Sequence, residues 1–162
     1  AFRGLSRKRY IDTEVDMQVR EAMTHGCETV RPSDTIRTAA QRMRDMDIGD
    51  VLVSDEGGQV LGIITDRDIA VRGVAEAGDA NIQTEQVMTR DLLKCYDDED
   101  LVDAARKMEA EQVRRLLVCD RSDRPMGVLS QADIALAMGR SEFTGEMVEE
   151  ISQPGGPHSQ SH

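Results

Sequence analysis

The chain has 162 residues, 39% of them hydrophobic, with no Trp, two Phe and two Tyr, so its core must be aliphatic, with nine Met as adaptable filler. Its formal charge is −11, and residues 1–10 hold four of the twenty cations (Arg3, Arg7, Lys8, Arg9) and no acid, so sixteen cations face thirty-one acids beyond them, −15 in all. So acidic a body repels a phosphodiester backbone, which excludes nucleic acid as a partner outside a short basic arm, residues 1–17.

No apolar run approaches the roughly 18 residues a membrane span needs, and no signal peptide is visible, so a cytoplasmic protein with no membrane partner is expected. Cys27, Cys95 and Cys119 are isolated from one another in the sequence, which suits thiols in a reducing compartment.

In chain order, residues 28–31 read as a short extended segment ended by Pro32. A helix follows with Ser33 as its expected N-cap and an apolar stripe of Ile36, Ala39, Ala40 and Met43 at one-face spacing. Residues 51–54 and 60–64 read as a hairpin closed by Glu56-Gly57-Gly58, and a second helix is expected from Asp66. Residues 75–83 form the expected linker. The order then repeats: an extended segment at 93–96, a helix with Asp98 as expected N-cap and the stripe Leu101, Ala104, Ala105, Met108, strands at 116–120 and 126–129, and a helix from Gln131. Beyond it, Phe143, Met147 and Ile151 are spaced for a short terminal helix, and a disordered tail is expected after them.

The recurrence is a duplication. Residues 19–74 align with 84–139 at a constant offset of 65 without a gap, and 12 of the 56 pairs are identical, against roughly four by chance. A repeat at 18–78 and another at 84–140 follow, each β-α-β-β-α. Each is too small to bury much surface alone, so the expected fold is α+β (α/β-like), two repeats packed with approximate two-fold symmetry.

The chemistry gathers where the last strand of each repeat meets its second helix. GIITDRD (62–68) and GVLSQAD (127–133) both end a buried strand in a hydroxyl followed three residues later by a carboxylate. Thr65 and Asp68, like Ser130 and Asp133, can share one side of a first helical turn. A helix start suits a phosphate, and a carboxylate there can accept both hydroxyls of a ribose diol. Ordinary helix capping is the plainer account of one such motif, and two copies in register weaken it. Between the repeats the charge reverses: Gly49 and Asp50 in the first correspond to Arg114 and Arg115 in the second, while Arg67 and Arg72 correspond to Ala132 and Ala137.

No Ser-His-Asp or Cys-His arrangement suggests catalysis. His25 beside Cys27 reads as a chance neighbour, and the acidic run 97–100 reads as a helix start using the favourable dipole. No enzyme, catalytic residue or metal ligand is expected.

The doubled β-α-β-β-α unit, the two glycine-to-carboxylate endings and the strand lead QVRRLLVCD (112–120) together resemble the cystathionine-β-synthase (CBS) domain, here as a tandem pair or Bateman module, of the kind found in small stand-alone bacterial CBS-domain proteins. The resemblance spans about residues 18–140. It implies a regulatory, non-catalytic module with no required cofactor, binding an adenosine-containing ligand (AMP, ADP, ATP, S-adenosylmethionine or NAD) in clefts between the repeats. It implies that Asp68 and Asp133 hold ribose hydroxyls, that Thr65 and Ser130 contact ribose or phosphate, and that Arg114 and Arg115 meet phosphate. Arg67 lies within the first motif, and groups around Val30, Ile64, Cys95 and Leu129 would flank adenine. The resemblance also implies a homodimer and a separate effector protein. The other reading is a constitutive dimerisation or interaction domain with empty clefts. Gly49 and Asp50, where the family often has a basic pair, make the second repeat the stronger phosphate site.

Overall fold

The computed structural model describes residues 16–138, so most of the basic arm and the whole expected terminal helix and tail lie outside the described residues. The described chain divides into two compact units, one formed by residues 27–92 and the other by residues 16–26 together with 93–138.

In the unit of residues 27–92, β2 (Thr29–Val30) runs parallel to β3 (Asp50–Ser54), and β3 turns back into antiparallel β4 (Val60–Thr65). The parallel pair needs a crossover, supplied by α2 (Ile36–Met46), whose Ile36, Ala39 and Met43 are buried. A fourth strand, β5 (Thr89–Arg90), pairs antiparallel with β4 and completes the sheet order β2-β3-β4-β5. Val30, Val51, Val53 and Ile64 join the α2 stripe in one core, with Val87 and Met88. After β4 comes a single turn, α3 (Asp66–Asp68), which continues as π-helical backbone over Ile69–Ala77.

The other unit has the same plan. β6 (Lys94–Tyr96) is parallel to β7 (Arg115–Cys119) through α4 (Leu101–Glu111), and β7 folds back into β8 (Pro125–Ser130), which leads into α5 (Gln131–Met138). All four predicted stripe residues of α4 are buried, in a core with Cys95, Leu116, Val118, Leu129 and Ile134. Each crossover helix ends on a left-handed residue at the same repeat position, Asp47 (φ 54°) and Gln112 (φ 53°).

The expected extended segments, hairpins and second helices are present, with bounds shifted by a residue or two. The helix starts differ: Thr35 and Asp100, not Ser33 and Asp98, cap α2 and α4, accepting from the Thr38 and Val102 amides. The cause is a turn before each helix, closed by Asp34 N–H to the Arg31 carbonyl and by Glu99 N–H to the Tyr96 carbonyl. Ser33 and Asp98 lie inside those turns, so the first helical amides come two residues later.

α1 (Val19–Ala22) and β1 (Thr24–His25) open the first repeat, yet β1 pairs with β8, giving the order β1-β8-β7-β6. The equivalent strand opening the second repeat, β5, pairs with β4. Thr24 faces Val128, and 65 residues on, Thr89 faces Ile63. Each repeat therefore contributes its leading strand to the other repeat's sheet.

Candidate functional site

Both strand-to-helix junctions adopt one backbone geometry. The Thr65 hydroxyl accepts from the Asp68 amide at 3.0 Å, and Asp68 Oδ2 accepts from the Thr65 amide at 3.0 Å. In the other unit the Ser130 hydroxyl accepts from the Asp133 amide at 3.1 Å, and Asp133 Oδ2 accepts from the Ser130 amide at 2.7 Å. These are reciprocal capping boxes, so the capping account is correct for both motifs. Each box uses only one carboxylate oxygen, Oδ2. The helix that follows is also tied to the preceding strand: Asp66 N–H donates to the Gly49 carbonyl at 3.0 Å and Gln131 N–H to the Arg114 carbonyl at 2.9 Å.

The surroundings of Oδ1 differ. In the second motif the Thr24 hydroxyl, on β1, donates to Asp133 Oδ1 at 3.3 Å. In the first, the guanidinium of Arg72 lies 4.0 Å from Asp68 Oδ1 and donates to the carbonyls of Val87 at 3.0 Å and Met88 at 3.3 Å. Thr24 was not among the residues singled out as candidates. Its trace in the sequence is its identity with Thr89 across the repeat.

The charge reversal falls directly on the motifs. Asp50 is the ladder partner of Thr65, and Arg115 is the ladder partner of Ser130. Asp50, Arg114 and Arg115 are half-buried, and Arg67 is exposed on α3. Val30, Ile64, Cys95 and Leu129 lie inside the two cores, at most 2% exposed. Burial, with help from Glu99, pushes the Cys95 thiol up to about 12, which keeps it neutral.

The motif glycines serve the leading strands. A Cβ on Gly62 would stand 2.5 Å from the Thr89 carbonyl oxygen, and one on Gly127 would overlap the Thr24 carbonyl oxygen and the Met23 methyl. The close neighbour of each glycine is thus protein backbone.

Elsewhere, a His25 ring nitrogen bonds the Arg20 carbonyl at 2.8 Å, and the acidic run is absorbed locally: Asp97 lies 3.7 Å from Arg20, Asp98 pairs with Arg121, and Asp100 caps α4. Among the described residues no group of three or more His, Cys, Asp or Glu could hold a metal ion, and no helix is long and apolar enough to cross a membrane.

Comparison with known proteins agrees with this architecture. The CBS domain model matches twice, over residues 19–73 and 84–140. The chain is 32% identical over 134 residues to the CBS domain-containing protein YhcV of Bacillus subtilis (strain 168), covering 83% of this chain and 94% of that protein. It is 34% identical over 117 residues to Hypoxic response protein 1 of Mycobacterium tuberculosis, covering 72% of this chain and 81% of that one. Among solved structures, the CBS domain pair of protein MJ0100, in complex with 5′-methylthioadenosine and S-adenosyl-L-methionine, aligns with a TM-score of 0.66 at 27% identity, covering 76% of this chain and 96% of that one. With one domain model matched in each repeat and the same sheet built in each unit, this chain belongs to the CBS-domain family as a tandem pair.

Proposed function

We propose that the chain is a regulatory, non-catalytic module that binds an adenosine-containing ligand through Asp133 and Asp68 and signals by a change of conformation or of association. The observation that carries this reading is the state of the two carboxylates. Each is fixed by its capping box through Oδ2, while Oδ1 of Asp133 meets only the Thr24 hydroxyl at 3.3 Å and Oδ1 of Asp68 lies 4.0 Å from Arg72, so each carboxylate keeps acceptor capacity for a ribose hydroxyl. The adenosyl ligands bound by the MJ0100 pair support the ligand class. The Ser130–Asp133 junction is the stronger site for a phosphorylated ligand, because Arg115 stands across the ladder from Ser130.

Calorimetric titration of the full chain with AMP, ATP, S-adenosylmethionine and NAD tests the reading. Binding of at least one is expected, weakened at least tenfold by Asp133→Ala or Asp68→Ala according to the junction occupied. Absence of heat with all four overturns it.

The second reading, a constitutive association domain, is favoured by one observation. Val71 and Leu136, at equivalent repeat positions on the helices after the motifs, are exposed, Leu136 by 82%. A dimer whose mass and stability no adenosyl ligand alters would support that reading instead.

A further inference from the structure

The helix after the first motif differs from its counterpart in the second repeat. Ile69–Ala77 is π-helical, whereas residues 134–138, which match 69–73 at the repeat offset of 65, belong to the ordinary α-helix α5. π-Helical backbone occurs mostly as single-turn bulges, so a run of nine residues has to be held by contacts outside the helix. Nothing local imposes it. Residues 69–77 hold no proline, and Ala70, Arg72, Ala75, Glu76 and Ala77 are all good α-helix formers.

Two contacts supply the hold. Arg72 donates to the carbonyls of Val87 at 3.0 Å and Met88 at 3.3 Å, just ahead of β5. In an α-helix residues four apart are stacked neighbours, and Arg72 would pair closely with Asp68. Here the two lie 4.0 Å apart, at the edge of an ion pair, while the guanidinium reaches the carbonyls instead. The second contact is Gly73, which approaches α2 so closely that a Cβ would overlap the Ile36 δ-methyl. The matched residues of the second repeat are Ala137, which has no side-chain donor, and Met138, which has a long side chain where Gly73 has none. The π form thus occurs where both contacts exist, and the α form where neither can.

We propose that residues 69–77 are a two-state element, π-helical while Arg72 holds the Val87 and Met88 carbonyls and α-helical when it lets go, which couples this helix to the pairing of β5 with β4. Exchanging hydrogen bonds to the carbonyl five residues back for bonds to the carbonyl four back turns the later residues to new directions and draws Arg72 over Asp68. The carbonyls it leaves belong to the stretch that enters β5, whose Thr89 and Arg90 pair with Ile63 and Gly62. The device lies within the unit of residues 27–92 and needs no ligand, so it stands apart from the function proposed above. It offers that function a mechanical output, since any group that draws the guanidinium from the two carbonyls biases the helix toward α and loosens β5.

The test uses the full chain, labelled with ¹⁵N and ¹³C, in which scalar couplings across hydrogen bonds identify the carbonyl that each amide of residues 74–77 donates to. In the unaltered chain these amides are expected to pair with the carbonyls of residues 69–72. In Arg72→Ala they are expected to pair with those of residues 70–73, and the amides that join β5 to β4 to exchange about tenfold faster. Arg72→Lys keeps one donor and is expected to populate both patterns; it decides the matter if Arg72→Ala unfolds. An arginine with a merely structural role would speed exchange in β5 and leave the helix pattern as it was. That result overturns the proposal, as does the α pattern in the unaltered chain, or a change of pattern with exchange in β5 unaltered. Whether an adenosyl ligand binds is decided separately, by the calorimetry described above.

Discussion

Asp133 is held from three directions, by its own amide against Ser130, by the Ser130 amide on Oδ2, and by the Thr24 hydroxyl on Oδ1 at 3.3 Å. The last bond couples a residue near the start of the described chain to a carboxylate 109 residues later. A hydrogen bond of this length on a partly exposed carboxylate contributes about 1 kcal/mol net. Thr24→Val is therefore expected to cost about that much in urea unfolding, Thr24→Ser to restore most of it, and Thr24→Val to cost little once Asp133 is alanine. Additive costs in the double variant would show that the hydroxyl does not act on Asp133. The sequence alone made Asp133 legible through its repeat spacing from Ser130. It left Thr24 unremarked, because a threonine in a two-residue strand carries no periodic signal and its partner is distant in the chain.

At the scale of elements, the glycines in the two motifs decide which strand can lie beside β4 or β8. Gly127 has no room for a Cβ, since the Thr24 carbonyl and the Met23 methyl already fill that space. Gly127→Ala is expected to force β1 away from β8 and to destabilise the chain by roughly 1–3 kcal/mol, with loss of amide protection at Gly26, whose N–H donates to the Met126 carbonyl at 3.1 Å. An unchanged unfolding midpoint would mean that β1 is not held where the structure places it. Gly62 predicts the same for β5. The hairpins and crossover helices were readable from alternation, stripes and turn residues, all of them local signals. The helix caps fall two residues beyond Ser33 and Asp98, the positions the sequence predicts, because a tight turn before each helix postpones its first free amide.

For the whole molecule, thiols buried in the unit that holds residues 93–138 set how stability responds to pH at the alkaline end. Cys95 is 1% exposed, and burial raises its thiol from an ordinary 9.0 to about 12. Burial likewise raises Cys119. The folded chain keeps both protons to higher pH than the unfolded chain; the Cys95 contribution is complete below pH 9 and is lost as pH rises through about 12. The urea midpoint is thus expected to fall above pH 9, with a shallower fall in Cys95→Ala, and thiol reagents should reach Cys95 only at the rate of opening. A slope identical in the variant would remove Cys95 as a cause.

The sequence by itself determined the duplication, the strand-hydroxyl-helix-carboxylate grammar, both apolar stripes and the charge reversal between Asp50 and Arg115, because each is a pattern of residue types at short or constant spacing. Tertiary structure alone decided that β1 and β5 cross into the opposite repeat's sheet, and that the motif glycines make room for those strands. It also decided that one carboxylate oxygen is spent on capping while the other faces Thr24 or Arg72. The physical reason is the same in every case. Strand pairing and close backbone approach are non-local, and the side chains they select, two threonines and two glycines, are too small to announce a partner far away in the chain.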